Sequence, residues 1–327
     1  MSRMENSRTA ASAAVLTGEG RVEIAEVKPL QPGLGEVRVR LQGCGVCVSN
    51  LPVWEGRPWF RYPLASGAPG HEGWGIIDAL GPGVRDFYMG QRVSALSHNA
   101  YAAYDIAASD ALVPLPAELD KQPFPGEPLG CIMNIFLRCD IMAGHTVAII
   151  GIGFLGALLT ELAAHAGAWV IAISRRPFAL KTAREYGAQA TVQLGNPADT
   201  AQQVNSLAGA HGCDRVIEVT GHQSALDLAT EITGVGGRLV IAGYHQDGMR
   251  QIDLQQWNWK GLNVINAHER DPHLYVEGMR LAVEAVVQGQ LHPLPLYTHS
   301  FGLSELSQAF EHLSERPDGF LKALVLP

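Results

Sequence analysis

From about Val15 to Leu115 short apolar runs alternate with glycine and proline: VEIAEV, EVRVRL, GWGIIDAL, RVSAL and ALVPLP. In Glu36-Val37-Arg38-Val39-Arg40-Leu41 every second residue is apolar, the period of a strand with one buried face. This region predicts a small β-rich barrel or sandwich, and the proline-dense stretch LPAELDKQPFPGEP marks the exit from it. From His145 the pattern changes. HTVAIIG reads as a buried strand, FLGALLTELAAHAGA as a helix, WVIAIS as a strand and FALKTAREYGA as a helix; CDRVIEVTG, HQSALDLATEIT and GGRLVIAGY continue the alternation. Continuous Val/Ile strands separated by helices imply a parallel sheet covered on both faces. After Ala267 come a helix (LYVEGMRLAVEAVVQGQ), a strand (PLPLYTHSF), a helix (LSELSQAFEHLSE) and a last strand, LKALVLP.

Composition adds a few exclusions. A chain of 327 residues favours two domains, and a net charge of -8 without a basic block argues against nucleic acid or an anionic membrane surface as partner. A small molecule is the expected partner. The first twenty residues carry no apolar core of signal-peptide length, so a frayed start and a cytoplasmic location are expected. The run Val147 to Leu162 is interrupted by three glycines and is not read as a membrane span. Five cysteines, an odd number spread through a large chain, point to reduced thiols or metal ligands.

VAIIGIGFLGALL sets Gly151, Gly153 and Gly156 in GxGxxG spacing, directly after a strand and before a helix. The first glycine permits the tight turn and the second lets backbone approach a pyrophosphate. The third lets helix and strand pack closely, and the helix start, with Phe154 and Leu155, faces the phosphates. The next strand ends on Ser174, followed by Arg175 and Arg176, where an NAD-binding chain would carry a ribose-binding carboxylate. Loss of the carboxylate and gain of two guanidiniums suit a 2′-phosphate, so NADP(H) is expected. The same arginines also fit the start of a solvated helix.

The stretch GCGVCVSN places Cys44 and Cys47 in C-x-x-C spacing, but no second close-set pair exists to complete a zinc knuckle. Taken with APGHEGWGII, EPLGC and the GIGFLG loop, it resembles the zinc-dependent alcohol dehydrogenases of the medium-chain dehydrogenase/reductase superfamily over nearly the whole chain. The resemblance implies an α/β protein: a GroES-like β-rich catalytic domain (residues 1–131 and 268–327) and a doubly wound Rossmann domain (132–267). It implies a carbonyl/alcohol redox reaction and a homodimer or homotetramer. By position Cys47, His71 and Cys131 match the catalytic zinc ligands, with Glu72 and Glu127 as alternates for the third place; Glu72 is also carried among the catalytic residues. Thiolate, imidazole and thiolate suit an open catalytic Zn²⁺.

Ser49 matches the family hydroxyl that passes the substrate proton outward. Asn50 stands in place of the usual Asp, and Pro52 where many relatives have a relay His, so the relay beyond Ser49 is altered. Lys322 is counted with the cofactor contacts. Trp54, Trp59 and Asn134 are expected at the substrate pocket. The family's four-cysteine lobe is absent from SHNAYAAYDIAASDAL, so one catalytic zinc and no structural zinc are expected. The leading function is an NADP(H)-linked alcohol/carbonyl oxidoreductase favouring reduction. A reductase of polarised C=C or C=N bonds, and a non-catalytic NADP(H)-binding sensor, stand as alternatives.

Overall fold

The computed structural model describes residues 10–327; the frayed start expected at the N-terminus lies mostly outside the described residues. The chain forms two compact units, Met1–Glu127 with Tyr297–Pro327, and Pro128–Leu296. The first contains β1 (Ala11–Gly18), β2 (Arg21–Val27), β3 (Glu36–Gly45), the short α1 (Leu51–Trp54), β4 (Gly73–Leu80), β5 (Arg92–Ala95), β6 (Tyr104–Ala108) and β7 (Leu112–Pro114). The helix α2 (Gly126–Cys139) begins at the boundary. The second unit continues with β8 (Thr146–Ile150), α3 (Phe154–His165), β9 (Trp169–Ser174), α4 (Pro177–Glu185), β10 (Ala190–Gln193), α5 (Pro197–Ala208), β11 (Cys213–Glu218) and α6 (Gln223–Ile232). It closes with β12 (Thr233–Ile241), α7 (Leu254–Lys260), β13 (Asn263–Asn266) and α8 (Pro272–Val287). The chain then returns to the first unit with β14 (Tyr297–Gly302), α9 (Leu306–Glu315) and β15 (Lys322–Leu326).

In the first unit a seven-stranded sheet runs β14-β15-β3-β4-β5-β7, with β6 also paired to β3, beside the β1-β2 hairpin. The period-two strand behaves as its pattern dictates: Val37, Val39 and Leu41 are buried, while Arg38 turns outward to a two-pronged pair with Asp78 at 2.9 and 3.0 Å. The long β3 serves as a spine. One edge holds β4, and the other holds β6 along its first half and β15 at its end. Against this sheet Phe310 of α9 stacks on Trp54 and meets Tyr101 edge-on, closing the core.

The second unit is a six-stranded parallel sheet in the order β10-β9-β8-β11-β12-β13. The Val/Ile runs of its central strands, Val147–Ile150, Val170–Ile173 and Val216–Ile217, are buried, as continuous apolar strands require when helices cover both faces. This order is the doubly wound arrangement in which dinucleotides bind at the carboxyl ends of the strands.

The unit boundaries differ from those read in the sequence at both ends. Helix α8 packs on α2 where two glycines cross: a Cβ on Gly130 would stand 2.8 Å from Met279, and one on Gly278 2.7 Å from the Gly130 carbonyl. Asn134 Nδ2 donates to the Leu274 carbonyl, and the Glu161 carboxylate accepts from His292 at 2.6 and 2.9 Å. These contacts fasten the segment after Ala267 to the parallel-sheet unit as far as Leu296. Among the described residues no helix is long and apolar enough to cross a membrane.

Candidate active site

Strand register builds the candidate site. Cys44 on β3 pairs with Gly73 on β4, so the residues leaving β3 lie beside those entering β4. Cys47 follows the first strand and His71-Glu72 precede the second. On the other edge, β15 pairs Leu324 with Gly45, and the Val46 N–H donates to Ala323 O. Lys322 therefore comes to the same end of the sheet. The ligating atoms of Cys47, His71 and Glu72 lie within 4.8 Å of one another, the one such group among the described residues.

Each member is held from behind. Cys47 opens a single 3₁₀ turn, Val48–Asn50, and the turn brings Ser49 Oγ 3.2 Å from Cys47 Sγ as donor. His71 Nδ1 lies 2.9 Å from the Pro69 carbonyl, which can only accept, so Nδ1 carries hydrogen and Nε2 is the nitrogen left that could bind a metal. Asn50, substituted for the expected Asp, is buried. Its amide donates to the same Pro69 carbonyl at 3.3 Å, and its Oδ1 accepts from the Tyr101 hydroxyl at 2.9 Å. Burial pushes the Tyr101 phenol well up, which keeps it a donor.

Glu72 is fully buried, and Lys322 Nζ stands 2.6 Å from both its oxygens, with hydrogen-bond geometry to Oε1. The same ammonium donates to Val46 O at 3.1 Å. Only glycine fits at position 45, because a Cβ there would fall 1.7 Å from Glu72 Oε2. Burial opposes the charge on Lys322, but the Glu72 carboxylate, with Cys47 and Glu127 adding to it, more than offsets that and holds the ammonium above its ordinary value.

Burial likewise opposes a charged His71. A hydrogen bond to Cys47 and the negative charge of Cys47, with Glu127 and Glu72 behind it, more than offset that and raise the imidazole to about 10. The pocket thus favours positive charge where a metal ion would replace the proton. A thiolate, an imidazole with a fixed second nitrogen and a nearby carboxylate match the donors zinc prefers, so the residues fit the ion. Cys131 lies on α2 in the second unit, four residues after Glu127.

Of the expected pocket residues, Trp54 is buried against Phe310, Trp59 is 59% exposed with its ring 6.1 Å from Phe60, and Asn134 is bound to Leu274.

In the second unit Gly151 adopts φ +103°, and a Cβ would meet Thr220 at 2.5 Å; a Cβ on Gly156 would strike Gly151 O at 2.0 Å. Helix α3 starts at Phe154, with Leu155 in its first turn. Ser174 ends β9 and accepts from the Arg176 N–H at 3.4 Å. The Arg176 guanidinium reaches Ile152 O, inside the glycine loop, at 3.4 Å, while Arg175 is exposed.

Two family models match the chain. Residues 33–116 match the alcohol dehydrogenase GroES-like domain and residues 155–284 the zinc-binding dehydrogenase domain. The chain belongs to the zinc-dependent alcohol dehydrogenase family of the medium-chain dehydrogenase/reductase superfamily. It is similar to 2-dehydro-3-deoxy-L-galactonate 5-dehydrogenase of Pseudoalteromonas atlantica, 27% identical across 96% of this chain and 98% of the relative. It is also similar to sorbitol dehydrogenase of Halalkalibacterium halodurans, 25% identical across 95% and 97%. A zinc-binding dehydrogenase structure from Sinorhizobium meliloti 1021, solved bound to NADP, superposes with a TM-score of 0.84 at 25% identity, over 98% of this chain and 100% of that one. As a member of this family the protein is an oxidoreductase of alcohols.

Three features of this dehydrogenase had no signal in the sequence: the Lys322 clamp on Glu72, Tyr101 behind Asn50, and a buried carboxylate, Glu218, at the end of β11. Their partners are 250, 51 and 27 residues away, and no local motif joins them.

Proposed function

We propose that the protein is a zinc-dependent, NADP(H)-linked oxidoreductase that interconverts an alcohol with an aldehyde or ketone and runs mainly toward reduction. The observation that carries this reading is the meeting of Cys47, His71 and Glu72 with the Ser49 hydroxyl hydrogen-bonded to Cys47. Cys47 and His71 would hold the zinc, with Cys131 as third ligand; Glu72 and Glu127 are the alternates, Glu72 being held back by its pairing with Lys322. When bound, zinc supplies Lewis acidity toward the substrate oxygen, and the dinucleotide supplies the hydride.

The chain's own residues do the rest. Pro69 O holds the His71 ring in one tautomer, and Asn50 with Tyr101 fixes that carbonyl's surroundings. Ser49 is placed to deliver a proton to the substrate oxygen in the reducing direction. Gly151 and Gly153 let backbone approach the pyrophosphate, and the N-terminus of α3 faces it. Support for NADP(H) is the absence of a carboxylate at Ser174 and the Arg176 guanidinium beside the glycine loop.

The test is cofactor oxidation by the purified protein with aldehydes and ketones, in parallel with enones and imines. Carbonyl-dependent NADPH oxidation, at least about tenfold more efficient than with NADH, is expected. Turnover confined to enones or imines would overturn the alcohol/carbonyl reading, and NADH preference would overturn the role given to Arg175 and Arg176.

A further inference from the structure

The carboxyl ends of β11 and β12 are joined by one chain of polar contacts that the catalytic reading leaves unused. Glu218, the last residue of β11, is fully buried. Its Oε1 accepts from Thr220 N and Thr220 Oγ1, both at 2.6 Å, and from Gly221 N at 2.9 Å. Its Oε2 lies 3.0 Å from His245 Nε2. On the far side of that ring, Arg250 Nε donates to His245 Nδ1 at 2.8 Å. A guanidinium can only donate, so Nδ1 accepts, and the hydrogen sits on Nε2, pointing at Glu218. Arg250 is itself anchored to Gly221 O at 2.8 Å and to Asp247.

The chain joins two loops. Thr220, held by Glu218, is the side chain packed against Gly151 of the glycine loop. At the other end His245 and Arg250 belong to the loop that leaves β12. Gly243 admits the carboxylate, since a Cβ there would stand 2.5 Å from Glu218 Oε2. Both loops lie where parallel sheets of this order bind ligands. The β8-β9-β10 half, with the glycine loop and Arg176, takes the adenosine side; the β11-β12-β13 half takes the second mononucleotide.

The geometry points to Glu218, acting through His245 and Arg250, as a positioning residue that presets the loop after β12 to receive the nicotinamide half of the cofactor. The inference rests on the dinucleotide reading above. Only a carboxylate at 218 both caps the Thr220-Gly221 turn and accepts from His245. An amide there can cap the turn but turns its N–H₂ toward the ring, so the His245 tautomer and the Arg250 anchor are lost together.

Binding titrations on the zinc-loaded full chain test it. Whichever of NADPH and NADH binds the wild type more tightly is used, with its matching fragment lacking nicotinamide, adenosine 2′,5′-bisphosphate or ADP. Glu218→Gln should weaken the whole cofactor by about tenfold or more, the loss expected for one charge-assisted hydrogen bond. It should leave the fragment's affinity and the zinc content unchanged. Arg250→Met removes the outer end of the chain without touching the buried carboxylate and should give the same split, so the test holds where Glu218→Gln fails to fold. His245→Gln, which keeps a donor toward Glu218, should recover part of the loss seen in His245→Ala. Equal weakening of cofactor and fragment, or no weakening of either, would overturn the inference. A wild type that binds neither dinucleotide would overturn the reading beneath it.

Discussion

Removing the ammonium of Lys322 should be among the most costly single changes in the first unit. Glu72 is fully buried and the Lys322 side chain is 6% exposed, so Lys322→Met leaves a buried carboxylate without the ammonium that pairs with it. Breaking a buried pair in this way costs about 3–5 kcal/mol, whereas removing both charges costs far less. In urea that loss corresponds to a midpoint shift of roughly 1–2 M for a unit of this size. Because the Lys322 ammonium is held above its ordinary value, the stability that this raised lysine contributes is complete at neutral pH and is lost as pH rises through the lysine range. The assay is a double-mutant cycle of Lys322→Met and Glu72→Gln on the metal-free protein, followed by urea unfolding. The account predicts that Glu72→Gln restores most of the stability lost in Lys322→Met. A Lys322→Met protein destabilised by less than about 1 kcal/mol, or additive losses, would refute the idea that this pair ties β15 to the β3-β4 junction.

Three further outcomes follow from the site. Metal uptake must displace the proton from His71, whose imidazole is raised to about 10, so zinc binding at neutral pH should release a proton there and tighten as pH rises toward that value; calorimetry in buffers of different ionisation enthalpy counts the protons, and pH-independent binding would contradict it. Ser49→Ala should lower kcat by about 10²–10⁴-fold with zinc content retained, and unchanged kcat in steady-state assays would remove Ser49 from proton transfer. Gly156→Val should abolish cofactor binding, since even a Cβ would stand 2.0 Å from Gly151 O, and retained affinity in a fluorescence titration would contradict the loop's role.

The parts of the fold legible in the sequence were those whose burial is periodic. Glu36 to Leu41 alternates because one face is wet, and Val147 to Ile150 does not because both faces are covered. Strand β1, ASAAVLTG, carries mostly small residues, and β6 and β10 are short, so none of them had a periodic signature. The end of the parallel-sheet unit was not legible because α8 reads as an ordinary amphipathic helix. The glycine crossing at Gly130 and Gly278, the Asn134–Leu274 hydrogen bond and the Glu161–His292 contact tie this segment to its neighbours, and none of them shows as a periodic pattern.

The same division holds at the site. Cys47 and His71 stand in compact motifs because each flanks a strand end, and the β3-β4 register brings those ends together. Lys322 was counted with the cofactor contacts, and its pairing with Glu72 became visible only through β15, which the chain adds to the sheet 250 residues later. The Glu218–His245–Arg250 chain was equally hidden, since it depends on β12 delivering its loop beside the end of β11.

The central claim is that Cys47 holds a zinc ion on which carbonyl chemistry depends. Elemental analysis of the purified protein, paired with Cys47→Ser and Cys44→Ala, tests it most directly. The account predicts near-stoichiometric zinc in the wild type and in Cys44→Ala, and loss of zinc and of carbonyl-dependent NADPH oxidation together in a folded Cys47→Ser protein. A zinc-free wild type with full activity would contradict it.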